Sequence, residues 1–301
     1  MPLSLTVIIL TYNEELHLER AISSIRKIAS RIVVVDSGSS DDTANIALLN
    51  GAEIFVNPFI TQAQQFDWAL NNTNIRTEWV MRLDADEVIE PNLEIEIIDR
   101  LPNFSDQILG VKLRRKHVFL GKWIRYGGRY PVTLLRIWRQ GTANVEQRWM
   151  DEHIYLNKPG LEITLHGNFS DVNLNNISYF TSKHNNYATR EALDVILTKY
   201  DEKSEMNDGH RSSTRWIKEN IYNKLPMWAS PLLYFIYRYF ILFGFLDGKA
   251  GLIYHFLQGF WYRFLVNSKI YELDLELKQA SSANERRDRI KSLTGYEIRA
   301  E

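Results

Sequence analysis

Along the first ninety residues, short apolar runs alternate with stretches of helical period. Residues 5–10 form a β-rich run. Residues 14–29 follow with Leu18, Ala21, Ile22, Ile25 and Ile28 at helical spacing, and Asn13 reads as the N-cap. Residues 31–35 (RIVVV) predict a second buried strand ending at Asp36. The turn residues 37–43 then lead into a helix stopped by Gly51. Residues 52–56 predict a third strand, 62–71 a helix, and 78–83 (EWVMRL) a fourth strand running into Asp84, Ala85, Asp86 and Glu87. Such alternation predicts a mostly parallel sheet with helices on both faces. Ligands of such sheets sit at the carboxyl ends of the strands. Residues 11–14, 36–39 and 84–87 all fall at such ends and are expected to line one crevice.

The turn after the first strand reads Thr11, Tyr12, Asn13, Glu14, with no G-x-G-x-x-G, and the chain has no P-loop motif. A phosphate-bearing ligand would need another counter-charge, and carboxylates holding a divalent cation are the natural candidate. Asp84 and Asp86 supply them. In an extended segment residues i and i+2 point the same way. Two hard oxygen donors suit Mg²⁺ or Mn²⁺ bridging a diphosphate. With 16 Asp in the chain a D-x-D pair arises by chance, so its value lies in directly following an apolar strand. Asp36 has two readings: a hydrogen bond to a base or ribose edge, or a loop acid capping the next helix, a task open also to Asp41 or Asp42.

Composition narrows the classes. The chain of 301 residues has 45% hydrophobic and 24% charged residues, which excludes a largely disordered chain. There is no cysteine, which excludes disulfides, a thiol nucleophile and Cys-ligated metal. The net charge is -1, so no single-signed coat exists, and no nucleic-acid partner is expected. The first apolar run lacks a basic flank and a small-residue cleavage site. It reads as a strand rather than a signal peptide, with the cytoplasmic side expected for the chain.

Residues 8–14 (IILTYNE), 33–43 (VVVDSGSSDDT) and 83–87 (LDADE) resemble, in order and spacing, the family 2 glycosyltransferases of GT-A fold. Residues 119–131 (FLGKWIRYGGRYP), 135–137, 149–153 (WMDEH) and 185–192 (NNYATREA) are similar to the branch with lipopolysaccharide-core β-1,4-glucosyltransferases and capsule or exopolysaccharide transferases. The resemblance implies that Thr11, Asn13, Glu14 and Asp36 hold the base of a nucleotide sugar. It implies that Asp84 contacts the ribose or supports the metal, and that Asp86 coordinates Mg²⁺ or Mn²⁺. That branch often has a basic residue and then Asn after the Gln at position 65. Here Phe66 and Asp67 stand there, so a basic contact to the diphosphate from that helix is not expected.

The implied reaction moves a sugar to an acceptor hydroxyl with inversion. It needs a base for the acceptor proton, a cation for the departing diphosphate and a dry cleft. Glu152 is the first candidate for the base and Asp151 the close alternative, while His153 is a candidate metal ligand. Arg129, Arg136 and Arg139 lie in an aromatic-rich stretch, and Arg136 is the best placed of them to meet a diphosphate. Lys122 and Trp123 are candidate acceptor contacts, though Trp123 equally suits packing.

The second half reads differently. A helix is expected over 175–199 and a polar linker over 201–213. Residues 226–266 are crowded with aromatics. From Leu232 to Leu246 the only charge is Arg238, and the run is too short to span a bilayer. From Asp208 to Lys269 there are eight Lys/Arg and three Asp/Glu, which suits a membrane interface. A buried helical hairpin is the competing reading. The expected organisation is a GT-A catalytic domain over 1–170, a helical linker region over 171–225, interfacial helices over 226–272 and a charged tail over 273–301. The whole reads as a peripheral or monotopic enzyme on the cytoplasmic face of the inner membrane, acting on a nucleotide-sugar donor and a lipid-linked glycan acceptor. A nucleotidyltransferase and a catalytically degenerate sugar-nucleotide binding subunit are the rivals.

Overall fold

The computed structural model describes residues 3–147, 152–200 and 226–296. The chain divides into two compact units, residues 1–174 with 246–250, and residues 175–245 with 251–301.

In the first unit, β1 (Leu3–Thr11), β2 (Ala29–Asp36), β3 (Glu53–Val56) and β4 (Trp79–Arg82) pair in parallel in the order β3-β2-β1-β4. Helices α1 (Leu18–Ile25), α2 (Thr43–Leu49) and α3 (Gln62–Asn72) connect them. This is the expected mostly parallel α/β arrangement. Beyond β4 the sheet continues through β8 (Val132–Arg139), β6 (Ile108–Phe119), β11 (Leu161–Val172) and β5 (Glu87–Ile89). There β4, β8 and β6 alternate in direction and β6 runs parallel to β11. Strand β7 (Lys122–Trp123) folds back on the end of β6, and β9 (Ala143–Val145) with β10 (Ile154–Leu156) makes a separate ribbon.

Alternation along β1 explains the two-faced core. Leu5, Val7 and Ile9 pack with Leu18, Ile22 and Ile25 of α1 and with Leu93 and Ile97 of α4 (Pro91–Arg100). Ile8 faces the other way, with Val33, Val35 and the Ala63, Phe66 and Ala69 stripe of α3. One close approach demands glycine: a Cβ at Gly167 would fall 2.5 Å from the Cα of Leu93. The neighbouring Glu96 accepts the backbone N–H groups of His166 and Gly167, both at 2.8 Å, and so ties α4 to β11.

Two local expectations change. The first helix begins at Leu18, not residue 14, and Asn13 does not cap it. Asn13 has φ 54, and the N-cap position falls to His17 without a side-chain cap bond. The residues between are spent on the loop of the crevice described below.

The second unit holds α5 (Ile177–Tyr200), α6 (Ala229–Ile236), most of α7 (Gly248–His255), α8 (Tyr262–Leu277) and α9 (Ala283–Thr294). π-helical stretches at Tyr237–Ile241 and Phe256–Trp261 interrupt the aromatic segment. Ala192, Leu193, Ile196, Leu273, Leu277 and Ile290 form a core, so apolar positions of the charged tail are buried. Ser282 caps α9 by accepting from the Glu285 N–H, and Gly295 closes it with φ 74. Along the aromatic segment of this unit Trp228, Leu233, Phe240, Ile241 and Phe243 are exposed. Among the described residues no single helix is long and apolar enough to cross a membrane. One bent pair, Ala229–Ile241 with Gly244–Leu277, has the length and composition, with a 71° bend. The polar linker expected over 201–213 lies outside the described residues.

Candidate active site

The sequence-predicted residues meet at the carboxyl ends of β1, β2 and β4. Thr11 and Asp36 are register partners at the ends of β1 and β2. Thr11 Oγ1 donates to Asp36 Oδ1 at 2.9 Å, and Ser39 Oγ donates to the same oxygen at 2.5 Å. Asp36 Oδ2 accepts the N–H groups of Gly38 and Ser39 at 2.9 and 2.7 Å. A carboxylate has about four acceptor positions, and here four are filled, three by this loop and one by Thr11. Asp36 therefore shapes the turn, while Asp41 serves Thr43, taking its N–H at 3.1 Å and its hydroxyl at 2.5 Å.

Asn13 joins the two loops. Its N–H donates to Ser39 Oγ at 2.8 Å, and its Oδ1 accepts from the Ser40 N–H at 2.9 Å. The left-handed φ of Asn13 is one that Asn tolerates better than most residues. The backbone N–H of Glu14 donates to Thr43 Oγ1 at 2.8 Å. Its carboxylate lies 2.7 Å from His17 Nδ1, and His17 Nε2 accepts from the Leu174 N–H at 2.9 Å. Since Nε2 accepts, Nδ1 carries the proton and donates to Glu14. Glu14 is thereby anchored to the end of β11.

The acids after β4 are held differently. Arg82 donates to Asp84 Oδ1 at 3.1 Å and to Glu152 Oε1 at 2.9 Å. Arg136 donates to Asp84 Oδ2 at 3.3 Å and to Glu87 Oε1 at 2.5 Å. Both guanidinium groups lie over rings, Arg82 on Phe66 and Arg136 on Phe169. Glu87 Oε2 accepts the Asp84 N–H at 2.9 Å. Burial disfavours the Asp84 charge, but Arg82 and Arg136 outweigh it and hold that carboxyl well below the usual range. Burial pushes Glu87 up to about 8; Arg136 opposes the push and Asp84 adds to it. Asp171, the register partner of Glu87, shares its surroundings. Burial would raise its pKa too, yet the contact with His117 at 2.9 Å brings it down to about 2.

Asp86 Oδ2 accepts from Asn173 Nδ2 at 3.1 Å, and the Asp86 carbonyl accepts the Val172 N–H at 2.9 Å. Nearby, Arg20 donates to the Val172 carbonyl. Among the described residues no three His, Asp or Glu side chains form a cation cage. A site built from Asp86, with Asp84 behind it, instead fits a hard cation shared with phosphate oxygens and water, the usual habit of Mg²⁺.

Glu152 is brought to the site by Arg82, and its side chain is 6% exposed. Asp151 lies outside the described residues. His153 is 63% exposed and pairs with Glu146 at 3.4 Å, with no contact to Asp86 among those described. Arg136 is in the site, but its charge is engaged by Asp84 and Glu87, so it orients acids. Arg139 is elsewhere, stacked on Trp79 at the start of β4. The Trp123 ring already carries Lys116 and Arg125, at 5.0 and 5.3 Å, and the edge of Tyr130. Arg82, Glu87 and His17 were missed. The available signal was charge inside buried runs: Arg82 in WVMRL and Glu87 in ADEVI must be paired if those strands are covered.

The strand order, with acids at the strand ends, is that of a GT-A-like α/β domain. Residues 6–151 match the model of glycosyl transferase family 2. It is 27% identical over 296 residues to an uncharacterized glycosyltransferase of Rickettsia typhi, covering 93% of this chain and 91% of that one. It is 26% identical over 277 residues to the lipopolysaccharide core biosynthesis glycosyltransferase LpsC of Rhizobium meliloti, covering 85% and 90%. Among solved structures, glucosyl-3-phosphoglycerate synthase from Mycobacterium tuberculosis, in complex with Mn²⁺, UDP and glucosyl-3-phosphoglycerate, is 23% identical with a TM-score of 0.32. That match covers 38% of this chain and 44% of that one, so the chain spans less than half of it.

Proposed function

We propose that this glycosyltransferase moves a sugar, with inversion, from a UDP-linked donor to a lipid-linked glycan in the synthesis of a bacterial surface polysaccharide. One observation carries the reading: the three motif-bearing strand ends converge, and Arg82 joins their acid, Asp84, to the acceptor-side acid Glu152. The likeness to the Rhizobium meliloti core transferase supports the polysaccharide acceptor. The exposed aromatic segment supports a place at the cytoplasmic face of the membrane.

In this reading the Thr11, Asn13 and Asp36 loops form the rigid floor for the nucleotide. Glu152 accepts the acceptor hydroxyl proton as the oxygen bonds to the anomeric carbon and the bond to the diphosphate breaks. Arg82 fixes Glu152 for that task through Oε1. A bound Mg²⁺ or Mn²⁺ would neutralise the departing diphosphate, with Asp86 holding it and Asp84 in support. Arg136 and Glu87 keep Asp84 in place.

The test is a panel of nucleotide sugars with Mg²⁺ or Mn²⁺, without acceptor, scored by binding and slow donor hydrolysis. One donor that binds with metal and loses binding in Asp86→Ala supports the proposal. Pyrophosphate release would indicate a nucleotidyltransferase instead. Binding without turnover would indicate the catalytically degenerate binding subunit, and no binding across a complete panel would overturn the donor reading.

A further inference from the structure

We propose that the segment of residues 112–131 recognises the phosphate or diphosphate of a prenyl-type lipid acceptor, with Lys122 and Arg125 as its contacts. The proposal rests on the lipid-linked reading above and deepens it.

The charge there is one-sided. Residues 112–131 contain seven Lys/Arg and no Asp or Glu in a chain whose net charge is -1. Some of these cations are neutralised by acids from other strands. Lys112 pairs with Glu162 at 2.5 Å, and Lys116 with Glu90 at 2.8 Å. Lys122 and Arg125 are exposed and have no acidic partner among the described residues. Arg125 instead rests over the Trp123 and Tyr126 rings, at 5.3 and 5.9 Å. Ring contacts orient a guanidinium without cancelling its charge, so its N–H groups keep their affinity for an anion.

An acid does stand next to this loop, but it is used otherwise. Asp247 is 2% exposed, and its two oxygens accept the backbone N–H groups of Arg125 and Tyr126 at 3.2 and 2.9 Å. It fixes the loop by its backbone and is shielded from solvent. The same short turn places Gly248, with φ 67, beside Lys122, whose Nζ lies 3.5 Å from where a Cβ would stand. The turn also exposes Leu246 and Lys249. Unneutralised cations therefore sit on the same unit as the exposed Leu246, which lies in the short turn that joins the two aromatic runs of the sequence. That pairing matches an anionic head on a hydrocarbon tail. A soluble anion would gain nothing from the apolar part.

The full chain is titrated with farnesyl diphosphate, with inorganic diphosphate and with vesicles of 30% phosphatidylglycerol in phosphatidylcholine. We expect farnesyl diphosphate to bind more tightly than inorganic diphosphate. Lys122→Gln with Arg125→Gln should weaken it about a hundredfold, since each of the two charged contacts is worth roughly tenfold. Arg26→Gln with Lys27→Gln, at the other end of the sheet, serves as the charge-matched control and should bind as the parent does. Melting curves of both double variants check the fold. Equal binding by the Lys122/Arg125 variant, or equal affinity for inorganic diphosphate, would overturn the proposal. So would an equal loss on the vesicles, which would assign the surface to bulk headgroups. Nucleotide-sugar binding on the same samples tests the donor reading separately, so the two failures are told apart.

Discussion

Two acids stand at the ends of β2 and β4, the parallel strands that flank β1, and they are kept in opposite ways. Asp36 is surrounded by neutral donors: two hydroxyls and two backbone N–H groups of its own loop and of Thr11. Asp84 is held between Arg82 and Arg136, and two members of this network, Glu152 and Arg136, come from distant parts of the chain. The first arrangement is local and makes a rigid turn. The second is a charge network, and its geometry depends on every member being present. In the proposed function the first arrangement serves as the floor for the nucleotide, and the second holds the groups that handle a proton and a departing anion.

The comparison predicts the largest effect at Arg82. Arg82→Met leaves Asp84 and Glu152 short of their cation in a buried site, and should cost about 3–5 kcal/mol in urea unfolding of the catalytic unit. Arg82→Lys keeps the charge but not the fork, and should recover part of that loss. Next comes Asp36→Ala, which strands four donors and should cost about 2–3 kcal/mol. An equal loss at both positions would erase the distinction between them.

The pH dependence should separate the acids further. The Glu87 pKa is raised from 4.5 to about 8, so the native state holds its proton more tightly than the unfolded chain over that interval. Its contribution is full below about pH 4.5 and is lost as pH rises through 8. Asp84 is lowered, so its contribution is present above its unfolded pKa and is lost only in acid. The urea midpoint of the parent should therefore fall between pH 5 and 8, and the fall should vanish in Glu87→Gln. The smallest effect is expected at Asn13→Gly. Glycine accepts the left-handed backbone, only the Oδ1 bonds to Ser40 are lost, and the cost should be about 0.5–1 kcal/mol by the same unfolding measurement.

Much of this was legible in the residues. The strand–helix alternation placed β1 to β4 within two residues of their observed ends. The three motifs fell where a parallel sheet binds ligands. What stayed hidden is long-range. Arg82 and Glu152 are 70 positions apart, and nothing in either local sequence announces the pair. Arg136 read as a diphosphate clamp because its charge was visible and its acid partners were not. Asn13 read as a helix cap because Asn before an apolar periodic run usually is one. The cross-loop bonds to Ser39 and Ser40 took it instead and delayed the helix to Leu18.

The most direct test of the account is the rate of sugar transfer, or of slow donor hydrolysis, in Glu152→Gln at saturating donor, together with donor affinity. The account predicts a fall of about a hundredfold or more in rate, with donor affinity within about threefold of the parent. An unchanged rate would contradict it, and would remove Glu152 and its Arg82 link from the chemistry.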